Sequence, residues 1–338
     1  MAKYLKPLVL FFFLLSVFSS TAQDIHFSQF YNNPLYLNPA LSGVFAGDQR
    51  FTAIYRNQWA DVPVPYMTLS GSYDEKWYLP GLNNGRLGWG LAFLRDQAGD
   101  GDLSWSFLQG TMAYTHQLEE QTFLSVGFQV AMGQRAFDPD QLFFGDQFNG
   151  DVFDPSLPTL DGFDRTAAAF FNLGAGLNVY HAAKKERSAV YGGFSYANLN
   201  RPALHFSDRE EVKLSARGNF YGFGLLEVND DWDVGLNVLW HFQGSYKEAV
   251  VGGLAKLHLK QTPGEELALQ LGFGHRLNDA IIGHFGMFYK NWMAAISYDV
   301  NISLFSVATN RRGGPELSIQ HIIFKVKPPD EFKSCPIF

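Results

Sequence analysis

From Trp232 to His241 the chain reads WDVGLNVLWH, and its side chains alternate. Trp232, Val234, Leu236, Val238 and Trp240 share one face of an extended backbone, and Asp233, Gly235, Asn237, Leu239 and His241 share the other. A period of two predicts a strand. Eight residue steps cover about 26 Å. Tilted by about 40°, they span on the order of 20 Å of membrane normal, close to the apolar band of an outer-membrane barrel, with an indole at each interface. A strand of a water-soluble sandwich also alternates, but it seldom runs this long and has less reason to end in Trp on both sides.

The same pattern recurs. In 292–300, Trp292, Ala294, Ile296, Tyr298 and Val300 oppose Met293, Ala295, Ser297 and Asp299; in 267–273, Leu267, Leu269, Leu271 and Phe273 oppose Ala268, Gln270 and Gly272. Segments 281–289 and 87–93 behave likewise, and 103–114 switches face midway, as a bulge would require. The alternation predicts strands over 51–59, 66–73, 85–95, 103–115, 122–136, 167–180, 189–198, 212–226, 232–242, 248–260, 265–275, 280–289, 292–300 and 316–326. Fourteen is an even number, as closure of an antiparallel bacterial barrel usually requires. With the N-terminus in the periplasm, odd-numbered connections face outward. The two longest, 137–166 and 301–315, are the fifth and thirteenth, whereas the short 116–121, 227–231, 261–264 and 290–291 are all even.

The ends and the composition change the picture in one direction. Lys3 and Lys6, an apolar run from Leu8 to Phe18, and Ser20, Thr21 and Ala22 follow the order of a secretory signal peptide cut before Gln23. The apolar run is too short for a membrane helix, which needs roughly 20 residues. Loss of residues 1–22 moves the net charge from −7 to −9, against nucleic acid as a partner. Charged residues are 17% of the chain against 16% aromatic, and the lone cysteine, Cys335, leaves no intrachain disulfide. An exported, aromatic, charge-poor, helix-poor chain is read as all-β: a transmembrane antiparallel β-barrel of the Gram-negative outer membrane.

Candidate chemistry is thin. The glycine pairs Gly88/Gly90, Gly174/Gly176, Gly222/Gly224 and Gly272/Gly274 precede no helical pattern, so they read as relief of crowding inside the barrel or as bends, not as a nucleotide loop. Asp138, Asp140, Asp146, Asp151 and Asp154 lack EF-hand spacing and read as a long solvated loop. Phe143, Phe144, Phe148 and Phe153 in that loop are the candidate extracellular contacts, because so aromatic a loop folds over the mouth or meets a partner. No H-x-H or H-E-x-x-H and no Ser/His/Asp arrangement appears, which predicts no catalytic, metal or cofactor site. Pro336, Ile337 and Phe338 end a polar tail as an apolar terminus, the candidate periplasmic docking element.

FYNNPLYLNPALSG (30–43), YRNQW (55–59), RRGGPELSI (311–319) and the terminal CPIF together resemble the PorP/SprF family of outer-membrane barrels, which is associated with type IX secretion and gliding motility. The resemblance covers essentially the whole mature chain. It implies a non-enzymatic protein that helps export or retain a large secreted, adhesin-like client with a type B C-terminal domain, and that can contact periplasmic, peptidoglycan-linked components as well as outer-membrane lipid. The domain reading is then signal peptide 1–22, N-terminal periplasmic or plug segment 23–50, barrel 51–326 and periplasmic tail 327–338. Within 28–43, Asn33, Pro34, Leu35, Tyr36, Asn38 and Pro39 are the candidate plug or partner-binding residues. The prolines push Asn33 and Asn38 out of helical backbone, and Tyr31, Leu35, Tyr36 and Leu37 offer an apolar anchor, so a fixed coil against the lumen or periplasmic rim is expected. The alternative is a passive pore or transporter for small apolar molecules, lined by positions such as Phe288.

Overall fold

The computed structural model describes residues 25–325 apart from 59–65, 80, 83, 100, 149, 151, 155, 158–164, 184–186, 207–211, 263 and 304–309. The expected signal peptide and tail residues Pro336, Ile337 and Phe338 lie outside the described residues. The strands are β1 (Gln49–Gln58), β2 (Tyr66–Trp77), β3 (Gly85–Ala98), β4 (Leu103–Glu119), β5 (Thr122–Ala136), β6 (Ala167–Ala182), β7 (Ala189–Ala197), β8 (Ala203–Leu204), β9 (Val212–Lys213), β10 (Arg217–Glu227), β11 (Trp232–Gln243), β12 (Tyr246–Lys260), β13 (Leu267–Arg276), β14 (Ala280–Tyr289), β15 (Trp292–Asn301) and β16 (Arg312–Ile323).

Fourteen of these close a single antiparallel barrel; β16 returns to pair with β1, and β8 and β9 form a separate small hairpin. Closure leaves no sheet edge, so every strand can satisfy its backbone without water. The expected strand 212–226 is corrected here: Val212 and Lys213 pair with the β8 residues, and the barrel strand begins at Arg217. The last strand also starts earlier than expected, at Arg312.

The alternation sorts side chains between lipid and lumen. Trp232, Val234, Leu236, Val238 and Trp240 are exposed on the outer wall, while Asp233, Asn237, Leu239 and His241 are buried inside. Trp77, Trp292, Tyr289 and Tyr298 add exposed aromatics to that wall. Gly222 and Gly224 correct another expectation. They share the outward face of β10 with exposed Phe220 and Leu226, and their nearest neighbours include Val238 and Val190, so they relieve no crowding in the lumen.

The long connections 137–166, 198–216 and 302–311 leave the same end of the barrel, the outer end in proteins of this architecture. The parity of loop lengths is incomplete. The 244–245 and 277–279 connections belong to the long-loop end yet are tight, because Gly244 and Asn278 adopt left-handed backbone (φ 57° and 60°) that closes a short turn.

Leu236, 71% exposed between Trp232 and Trp240, faces the hydrocarbon. Leu236→Arg is expected to destabilise the barrel by about 2–4 kcal/mol, and Asn237→Gln by much less, in denaturant titrations of the protein folded into phospholipid vesicles.

Candidate functional site

The lumen is filled by the chain's own opening segment. Phe30–Asn32 forms a 3-10 turn, Pro34–Leu37 one turn of α-helix, and Pro39–Leu41 a second 3-10 turn. The expected coil is therefore three linked helical turns. Pro34 and Pro39 each occupy the first helical position, where a missing N–H costs nothing and a fixed φ favours the turn. Asn38, extended at φ −159°, accepts the Ala40 N–H on its side-chain oxygen at 2.8 Å and so caps the last turn.

Each turn is tied to a different wall. Asn33 Nδ2 donates to Ser70 Oγ (3.0 Å) on β2. Gln109 Nε2 on β4 donates to the Leu35 carbonyl (2.9 Å), and Ser195 Oγ on β7 and Asn219 Nδ2 on β10 both donate to the Leu37 carbonyl. Asn38 Nδ2 donates to the Leu177 carbonyl on β6 and to the Tyr221 hydroxyl on β10, each at 2.9 Å. The Arg217 guanidinium stacks 3.9 Å from the Tyr36 ring centre. Leu35 and Asn38 are fully buried, and Phe30, Leu37 and Leu41 pack with Tyr221, Leu239, Val250 and Ile282. Two glycines make the fit possible: a Cβ on Gly127 would overlap the backbone at Ala40, and one on Gly176 would overlap the Asn38 side chain.

The segment runs the length of the barrel. Ile25 and Phe27 pack with Ile54 and Leu94 and against Trp105 and Phe107 at the long-loop end, whereas Gly43 meets Gly88 and Lys76 at the tight-turn end. Of the two placements expected for the opening segment, the lumen and the periplasmic rim, its first described residues take the lumen, at the long-loop end.

A buried ionic clamp fixes that outer portion. Arg56 on β1 pairs with Asp299 on β15 (2.9 Å) and Glu316 on β16 (3.0 Å), and Arg276 on β13 pairs with the same Asp299 (2.9 Å). Ser28 sits at the centre: its hydroxyl accepts from Arg56 Nη1 and Arg276 Nη2 and donates to Asp299 Oδ1. Glu316 accepts the N–H groups of Ser28 (2.8 Å) and Gln29 (2.7 Å), one on each oxygen. Arg56 and Glu316 are also register partners across the strand pair that closes the barrel. The clamp therefore couples closure of the sheet to seating of the plug.

A family model described as "Type IX secretion system membrane protein PorP/SprF" matches residues 19–320. The chain belongs to this family. No curated protein matches the sequence. Among solved structures, the Ralstonia pickettii toluene transporter TbuX is similar at 11% identity over 86% of this chain and 93% of that one, TM-score 0.49. The Pseudomonas putida toluene transporter TodX is similar at 12% identity over 89% and 93%, TM-score 0.49. A TodX deltaS2S3 mutant, a monoaromatic hydrocarbon channel, reaches TM-score 0.50 at 10% identity over 85% and 93%. Of these only the last, at 0.50, speaks to the fold, and at such identity to the fold alone. Family and barrel place this PorP/SprF protein in the Gram-negative outer membrane, in the type IX secretion system.

The three internal strings that carry the PorP/SprF resemblance meet in space. FYNNPLYLNPALSG is the plug, YRNQW supplies Arg56, and RRGGPELSI supplies Glu316. Ser28, Gln29, Arg276 and Asp299 were not anticipated as a group. For Arg276 and Asp299 the signal was faint, charged side chains at inward positions of strands whose outer faces are mostly apolar; Ser28 and Gln29 precede the first strand and gave none. Of the outer-loop candidates, Phe143 and Phe153 stack edge-to-face at 5.2 Å, and Phe148 bridges to Phe153. Phe143, Phe148 and Phe153 are exposed and Phe144 is half-buried. Buried Gln147 braces the loop, accepting the Phe144 N–H (2.9 Å) and donating to the Leu157 carbonyl (2.9 Å). The plug residues and the loop phenylalanines are not brought together.

Arg56→Met leaves Glu316 and Asp299 with one guanidinium between them and is expected to cost about 3–5 kcal/mol, measured by denaturant titration in micelles. Adding Glu316→Leu is expected to restore part of that loss. Gly176→Val, which drives a side chain into Asn38, is expected to cost about 1–3 kcal/mol and to open ion conductance in a planar bilayer where the parent chain is silent.

Proposed function

We propose that this chain is a plugged anchoring barrel of type IX secretion that holds or helps export a large secreted surface protein, an adhesin-like client with a type B C-terminal domain. The observation that carries this reading is occupation of the lumen by Ser28–Gly43, hydrogen-bonded to strands all round the barrel. A barrel filled in this way has its two rims, not its interior, available to partners. The outer rim offers an aromatic tip: Phe143 is 71% exposed, and Phe148 and Phe153 stand beside it. Exposed apolar surface held by a braced loop is a protein-contact feature. The tight-turn rim faces the periplasm and is the surface for peptidoglycan-linked secretion components. A passive pore for small apolar molecules is the competing reading, and the plug counts against it. Phe288 lines a cavity roofed by plug residues Tyr31 and Pro34 and so opens no path through the barrel.

Deleting the gene is expected to release the client into the medium or to leave it unexported; a client retained at the surface at parental levels would reject the reading. Replacing Phe143, Phe148 and Phe153 together by Ser is expected to weaken client capture by the purified barrel about tenfold or more, as loss of an aromatic anchor does, with barrel stability unchanged. Large steady openings of the parent chain in a planar bilayer would favour the pore instead.

A further inference from the structure

At the tight-turn end the plug does not fill the lumen. A cavity of about 250 Å³ remains, roofed by Tyr31, Pro34 and Leu41 of the plug and walled by Tyr191, Phe223 and Met293 among others. Tyr191 on β7 and Phe223 on β10 are register partners whose rings stack at 5.3 Å, so one wall is a flat aromatic surface. Met293 is the second residue of β15, next to the 290–291 turn, which sets the cavity against the tight-turn rim. By comparison, an apolar cavity of roughly 150 Å³ holds a benzene ring. The volume here suits one ring with a small substituent.

A second wall is polar. Gln270 on β13 and His284 on β14 line the cavity and are only 7% and 8% exposed. Gln270 Nε2 donates to His284 Nδ1 at 3.5 Å. An amide nitrogen only donates, so Nδ1 accepts, and the proton of the neutral imidazole sits on Nε2. The two remaining polar atoms are not engaged. His284 Nε2, with the Tyr31 ring packed edge-on to the imidazole at 6.1 Å, has no hydrogen-bond partner, and among the described residues Gln270 Oε1 has none either. A buried amide oxygen left without a donor is costly in an otherwise aromatic pocket. Arg50, the charged lining residue, is held on both oxygens of Asp74 and brings no free charge to the cavity. Gly286, the register partner of Gln270, keeps the space beside the amide open. A Cβ there would approach no neighbour closer than 3.4 Å, so the backbone tolerates a side chain that the cavity would have to hold.

We propose that this cavity binds a small neutral aromatic alcohol, in the simplest case a phenol, with its hydroxyl donating to Gln270 Oε1 and its ring against Tyr191 and Phe223. The walls supply apolar burial, and the amide selects for the hydroxyl. A hydrocarbon of the same size leaves Gln270 unpaired, and an anion brings a charge that no lining residue is free to pair. The plug roof makes the cavity blind, so the ligand enters from the periplasmic side, docks and does not pass.

The test uses the full chain in phospholipid nanodiscs. The probe is 4-fluorophenol and the control 4-fluoroanisole, the same ring without the O–H, both read by fluorine NMR against empty nanodiscs. Saturable binding of the phenol is expected, with the anisole about tenfold weaker. Gln270→Leu is expected to remove that difference by weakening the phenol alone. Gly286→Leu, which fills the cavity from β14, is expected to abolish saturable binding of both, and each variant to keep the heat-modifiable migration of the barrel. No saturable binding of the phenol up to millimolar concentration, which leaves water alone in the cavity, overturns the proposal. Equal binding of phenol and anisole, or undiminished phenol binding in Gly286→Leu, overturns it as well. Should either variant fail to fold, the comparison of phenol with anisole on the parent chain decides. These readouts involve no secreted client and stand or fall independently of the anchoring reading.

Discussion

Arg56 and Arg276 share one buried site near the outer end of this barrel with Asp299 and Glu316, with Glu248 and Asp279 also paired to Arg276, and the remainder of the structure is arranged around them. Arg56 and Glu316 lie opposite each other on the first and last strands, so their ion pair spans the seam at which the sheet becomes a cylinder. The same carboxylate grips two successive backbone N–H groups of the plug, and the same arginine donates to the Ser28 hydroxyl. Unpaired, any of these charges would be prohibitively expensive in such surroundings. The clamp therefore makes an open seam or an empty lumen costly, and it links two events that are distant in sequence.

A plug held in this manner decides what the barrel can do. Its three short helical turns spend their carbonyls on side chains from β4, β7 and β10 and their apolar residues on the lumenal cluster around Leu239 and Val250. What is left for partners is at the rims. They differ in chemistry: exposed phenylalanines on a braced loop outside, and an aromatic cavity under the plug at the tight-turn end.

The cylinder itself could be read from the chain. Alternation with Trp at the strand ends named the lipid-facing ribs of β11 and β15, because hydrocarbon demands an unbroken apolar stripe with a period of two. Where short-range geometry competed with that stripe, the reading slipped. Val212 and Lys213 look like the start of a strand but pair in a side hairpin, and Gly222 and Gly224 look lumenal by composition yet face outward.

By itself the sequence determined an outer-membrane barrel of fourteen strands, its apolar faces, and membership of PorP/SprF through strings at 30–43, 55–59 and 311–319. Only the tertiary structure decided that those strings touch, that Ser28 stands between Arg56 and Arg276, and that the opening segment threads the lumen from one end to the other. The reason is physical. Lipid exposure acts on each strand separately and leaves a periodic mark, whereas lumenal pairing joins residues up to 289 positions apart and obeys no local period.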